Sequence, residues 1–60
     1  MTIDGVRKIA AEHRNKDMKF FWQVVEEIMD ERRITETQSF EEWSALIAAV
    51  SKRVNKYKSR

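Results

Sequence analysis

Four groups of side chains could do chemistry: the carboxylates Glu26, Glu27, Asp30 and Glu31; the cations Lys52, Arg53, Lys56, Lys58 and Arg60; the apolar series Met18, Trp22, Val25 and Met29; and the lone histidine, His13. Their types and spacing point to recognition rather than catalysis. There is no glycine-rich phosphate loop, no histidine or cysteine constellation, and no carboxylate pair expected inside an apolar pocket, so no enzyme, catalytic residue or cofactor is expected. With no cysteine and one histidine, a metal site has no usual donor set, and none is expected. His13 lies among charged residues, where solvent exposure is the default.

Glu26 and Asp30, like Glu27 and Glu31, stand four residues apart, so a helix would bring like charges together at its own negative end. Both effects are unfavourable and call for a cationic partner; the alternative is a solvated face that serves solubility. Met18, Trp22, Val25 and Met29 follow a four, three, four spacing that lines one side of a helix. Trp and Met are enriched in the cores of interfaces, so this series together with Glu26 and Asp30 is the candidate partner-binding surface. The competing reading buries the same series against Val6, Ile9 and Ala10. Lys52, Lys56 and Arg60 share a ridge, with Arg53 beside them, and form the candidate nucleic-acid contact. Cations at a helix carboxyl terminus are also what the helix dipole favours, and no aromatic or amide side chain is interleaved to read a base.

These groups need helices to position them. The chain has 60 residues, no proline and a single glycine, Gly5, which leaves no material for a turn-rich β fold. The expectation is all-α: a small helical bundle in one domain, 1–60, of two long antiparallel helices, about 17–33 and 40–58, plus a shorter helix at about 3–14. Ser39 followed by Glu42 reads as a capping box for the last helix. Asn15 or Asp17 could cap the middle one. An unbroken helix from Ile3 to Arg33 is the rival, because Ile3, Val6 and Ala10 stay in phase with Phe20, Phe21 and Val24. The expected core seam is Phe40, Trp43, Ile47, Val50, Val54 and Tyr57, facing Phe21, Val24, Val25 and Ile28.

Charge is uneven along the chain. Residues 1–19 carry five cations and three anions, residues 20–43 two cations and seven anions, and residues 44–60 five cations alone. An antiparallel hairpin would therefore have an acidic end and a basic end. A chain this short buries a limited core, so self-association as a homodimer, or folding onto another protein, is expected to supplement its stability. Met1 to Ala11 has no apolar stretch like that of a signal peptide, and no run is long enough to span a bilayer, so a soluble cytoplasmic protein with no membrane role is expected. The function expected is a regulatory protein–protein interaction module, such as an adaptor or inhibitor, with a phage or mobile-element origin as a guess from size. A DNA- or RNA-binding regulator is the alternative.

Overall fold

Each helix begins where a short polar side chain can accept from first-turn amides that lack a helical partner. In the computed structural model, which describes residues 1–59, the helices are α1 (Ile3–Glu12), α2 (Lys16–Glu31) and α3 (Phe40–Lys58). The protein is an all-α small helical bundle. Thr2 Oγ1 accepts from the Gly5 amide at 3.1 Å, and Ser39 Oγ accepts from the Glu42 amide at 3.1 Å. Asn15 Oδ1 accepts from the amides of Asp17 and Met18 at 2.9 and 3.1 Å. Asn15 is extended, and with its side chain taking two amides it ends any continuous helix through 3–33. The Ser39–Glu42 box closes with a shift of one residue, because the Glu42 carboxylate accepts from the Gln38 amide at 2.8 Å.

Both amino-terminal helices stop two residues short of the sequence expectation. His13 caps α1 in an extended conformation. At the end of α2, the Arg33 amide donates to the Asp30 carbonyl at 3.1 Å and the Ile34 amide to the Met29 carbonyl at 2.8 Å, the paired bonds of a Schellman motif. This motif puts Arg33 at φ 57°, a left-handed conformation that usually belongs to glycine. Residues 32–39 then pair with the amino terminus. The Ile3 amide donates to the Thr35 carbonyl and the Thr37 amide to the Met1 carbonyl, both at 2.9 Å, around an antiparallel bridge between Thr2 and Glu36. Buried Thr37 adds a hydroxyl bond to the same Met1 carbonyl at 3.3 Å.

α2 lies at the centre and packs on both other helices. Its Val24, Val25, Ile28 and Met29 are buried with Ile3, Val6 and Ala10 of α1 and with Leu46 and Val50 of α3. The core seam of α3 differs from the expected one. Val50 is fully buried and Trp43, Ile47, Val54 and Tyr57 are half-buried, but Phe40 is 80% exposed and Leu46, outside the expected seam, is 2% exposed. Phe21 is half-buried, with its ring edge-on to Trp22.

The reason is the angle between the long helices. Trp43 stacks on Trp22 with ring centroids 6.0 Å apart, while Tyr57 meets Phe20 at 5.9 Å. Trp43 and Tyr57 are about 21 Å apart along α3, whereas Trp22 and Phe20 are about 3 Å apart along α2. Only a steep crossing satisfies both contacts. The expected antiparallel hairpin thus takes the form of a crossed pair, in which the middle of α3 is buried and its first turn overhangs.

Leu46→Ala should cost about 2–5 kcal/mol, as for other buried leucines, whereas Phe40→Ala should change stability by less than about 0.5 kcal/mol. Urea denaturation of the two variants checks this, and equal losses would mean that the crossing is wrong. Arg33→Gly should stabilise by about 1 kcal/mol by relieving the left-handed backbone, which thermal unfolding would show as a rise of about 4–8 °C.

Candidate functional site

The carboxylates of α2 find their cationic partners inside the chain. Arg7 of α1 donates to Glu26 Oε1 at 3.1 Å through Nε and to Asp30 Oδ1 at 3.3 Å through Nη2. On the other side of α2, Arg53 of α3 donates to both oxygens of Glu31 and lies 3.7 Å from Glu27. Tyr57 Oη donates to Glu27 at 2.9 Å. Each like-charge pair is therefore bridged by one arginine from a neighbouring helix. The need for a cation was legible in the sequence; its source, the chain itself, was not.

These contacts perturb titration in a consistent way. Accepting from the Arg53 guanidinium holds the Glu31 carboxyl below the ordinary carboxylate range, with the charges of Arg53 and Arg32 acting in the same direction. Bonding to the Glu27 carboxylate, together with partial burial, raises the Tyr57 phenol above its ordinary value. Bonds to Glu26 and to Glu31 raise Arg7 and Arg53 respectively.

The candidate partner-binding residues separate into two groups. Val25 and Met29 are fully buried, within the same core as Val6 and Ala10, so they present no surface to a partner. Glu26 and Asp30 are held by Arg7 and do not stand as unneutralised carboxylates. Met18 is 42% exposed and Trp22 half-buried. These two join residues that the sequence reading assigned to the core: Trp22 stacks on Trp43, and Trp43 and Phe40 line one hollow with Met1. The outcome is an apolar patch of Met18, Trp22, Trp43 and Phe40 across the start of both long helices. Phe40 was the missed member. Its three-residue offset from Trp43 mimics a core seam, and nothing local distinguishes an overhanging first turn from a buried one.

The cationic residues are also divided. Arg53 faces α2, drawn in by Glu31 and Glu27. Lys52 and Lys56 are exposed, share a groove with Arg32, Ile28 and Ala49, and make no ion pair among the described residues. Arg60 lies outside the described residues. His13 is half-buried in a shallow hollow with Ile9, Glu12 and Arg14.

Comparison with known proteins finds no matching family model, no matching curated protein and no matching solved structure. Among the described residues, no group of three or more His, Cys, Asp or Glu side chains could hold a metal ion. No helix among them is long and apolar enough to cross a membrane.

The shifts define two pH limbs. The folded-state pKa of Glu31 is lowered, so its contribution is present above the unfolded carboxylate pKa and is lost as pH falls through the lower folded value. That of Tyr57 is raised, so its contribution is complete below the ordinary phenol pKa and is lost as pH rises through the higher folded value. Denaturation midpoints measured across pH should fall at both extremes. Arg53→Gln should flatten the acid limb and Tyr57→Phe the alkaline limb, and unchanged profiles in both variants would contradict the ion-pair geometry.

Proposed function

We propose that this chain is a small, non-enzymatic, cytoplasmic protein–protein interaction module, serving as an adaptor, inhibitor or regulatory accessory protein. It engages its partner through the patch formed by Met18, Trp22, Trp43 and Phe40. The observation that carries this reading is Phe40, a large aromatic side chain 80% exposed, beside a half-buried tryptophan stack. Exposed apolar side chains are ordinary when scattered, but a contiguous aromatic and methionine cluster has the composition of an interface core. Burying a rigid aromatic in a partner's pocket is the usual source of dominant binding energy, so Phe40 is the expected anchor.

The test is a photo-crosslinking amino acid at position 40 in the native cell, with position 51 on the outer side of α3 as control. A partner captured from 40 and not from 51 should bind the unlabelled chain in a pull-down, and that binding should be lost on Phe40→Asp and retained on Lys52→Gln/Lys56→Gln. Equal capture from both positions, or loss in the lysine variant alone, would defeat the proposal.

A second reading, nucleic-acid binding, draws support from Lys52, Lys56 and Arg32 sharing one groove. Against it, Glu27 and Glu31 lie on Arg53 at the groove's edge, where they would repel phosphates. Polynucleotide binding that falls steeply with salt and disappears in Lys52→Gln/Lys56→Gln would favour this reading.

A further inference from the structure

Where α3 crosses the end of α2, a groove of about 480 Å³ opens between them, lined by Ile28, Arg32, Ala49, Lys52, Arg53 and Lys56. The two α2-side residues are four apart, and the four of α3 follow the spacing of one helix face, so each helix supplies one wall. Four of the six lining side chains are cations and none is acidic. Half-buried Ala49 and nearly covered Ile28 form an apolar floor between them. The adjoining hollow over residues 32–37 is different: Arg32 and Arg33 are offset there by Glu36 and Glu42, so it attracts neither sign.

The charge of the groove is not neutralised within the chain. Arg53 is held by Glu31 and Glu27, but Arg32, Lys52 and Lys56 make no ion pair among the described residues. Lys52 and Lys56 stand four residues apart, a like-charge pairing that disfavours their helix. The equivalent pairs on α2 are each bridged by an arginine from a neighbouring helix, whereas no carboxylate among the described residues bridges this one. The helix dipole accounts for Lys56 in the last turn but not for Lys52, which lies before it. The pattern calls for an anion from outside the chain.

The surroundings favour one kind of anion. Glu27 and Glu31 stand on Arg53 at the edge of the groove. A polynucleotide carries a charge on every residue and would bring phosphates against them. A peptide can place carboxylates on Arg32, Lys52 and Lys56 and keep a neutral side chain beside Glu31. The floor offers apolar contact but no aromatic ring on which a base could stack. A second copy of this chain fits less well, because the carboxylates of α2 are already taken by Arg7 and Arg53. The apolar excess on α2 that suggested self-association is also removed, by the burial of Val25 and Met29.

We infer that the groove docks an acidic segment of a partner protein, with carboxylates on Arg32, Lys52 and Lys56 around one apolar side chain seated on Ala49. The charges steer the encounter and set its register, and the apolar contact adds burial. Phe40 is nine residues from Ala49 and so on the opposite side of α3, which lets the groove and the aromatic patch be occupied together. One short helix thus carries two separate docking faces.

The probe is a short fluorescent peptide in which glutamates flank a single leucine, titrated into the full chain and followed by anisotropy and by backbone amide NMR shifts. Binding should weaken as salt rises, and the shifted amides should cluster around Ile28, Arg32, Ala49 and Lys56. Lys52→Gln/Lys56→Gln should weaken it roughly tenfold, whereas Lys8→Gln/Arg14→Gln, which removes the same charge from exposed positions elsewhere, should change it by less than about twofold. A peptide with serine in place of leucine should bind several-fold more weakly, and one with glutamine in place of glutamate should not bind. Circular dichroism checks the fold of each variant. No binding at millimolar peptide, equal losses in the two double variants, or a serine peptide that binds as well would overturn the inference. So would an oligonucleotide of equal charge that binds the groove more tightly, or concentration-dependent shifts at the groove without peptide, which would assign it to a second copy. Phe40→Asp should leave peptide binding unchanged, so failure here is distinguishable from failure of the aromatic patch.

Discussion

The arrangement depends on one constraint, the coverage of α2. Around this helix apolar side chains occupy well over half the circumference, and the rest carries two pairs of like charges four residues apart. A single neighbouring helix cannot cover so wide an apolar arc, nor can one cation neutralise carboxylates on two sides. α1 and α3 divide the task. α1 brings Val6 and Ala10 to the side of Val25 and Met29, and Arg7 to Glu26 and Asp30. α3 brings Leu46 and Val50 into the same core, and Arg53 to Glu27 and Glu31. The ion pairs are partly exposed, and pairs of that kind contribute little to stability individually. Their weight lies in orientation: a neighbouring helix docked a turn out of register would leave the carboxylate pair it serves in mutual repulsion.

The steep crossing of α3 over α2 follows from what comes between them. Residues 32–39 do not make a short turn. The left-handed Arg33 redirects the chain, and the bridge between Thr2 and Glu36 holds it against the start of α1. α3 therefore begins far to one side and must cross α2 to reach the exposed flank of the core. That path leaves the start of α3 at the edge of the core, with Phe40 in solvent and Trp43 half-buried against the core and stacked on Trp22. Phe40, 80% exposed, gains little from folding, which is why the functional reading rests on it.

The two flanks of α3 then differ in chemistry. One presents Phe40 and Trp43 beside the tryptophan stack. The other carries Lys52 and Lys56 around a shallow groove shared with Arg32.

Much of this was legible in the chain itself. The all-α class, the cap at Ser39 and the burial of Val24, Ile28 and Val50 follow from periodicity and local hydrogen-bonding chemistry, which act over a few residues; the same periodicity left a continuous helix through 3–33 as a rival and Asn15 and Asp17 both open as caps. The like-charge pairs of α2 likewise announced a need for cations. The tertiary structure alone decided where those cations come from, that Val25 and Met29 face α1, and that Leu46 displaces Phe40 from the core. Each of these depends on the angle and offset at which helices meet, quantities set by contacts between residues far apart in sequence. A helical repeat states that a side of the helix is apolar. It does not state how much of that side a neighbour will cover, and at the crossing of α2 and α3 that coverage separates a core residue from an exposed one.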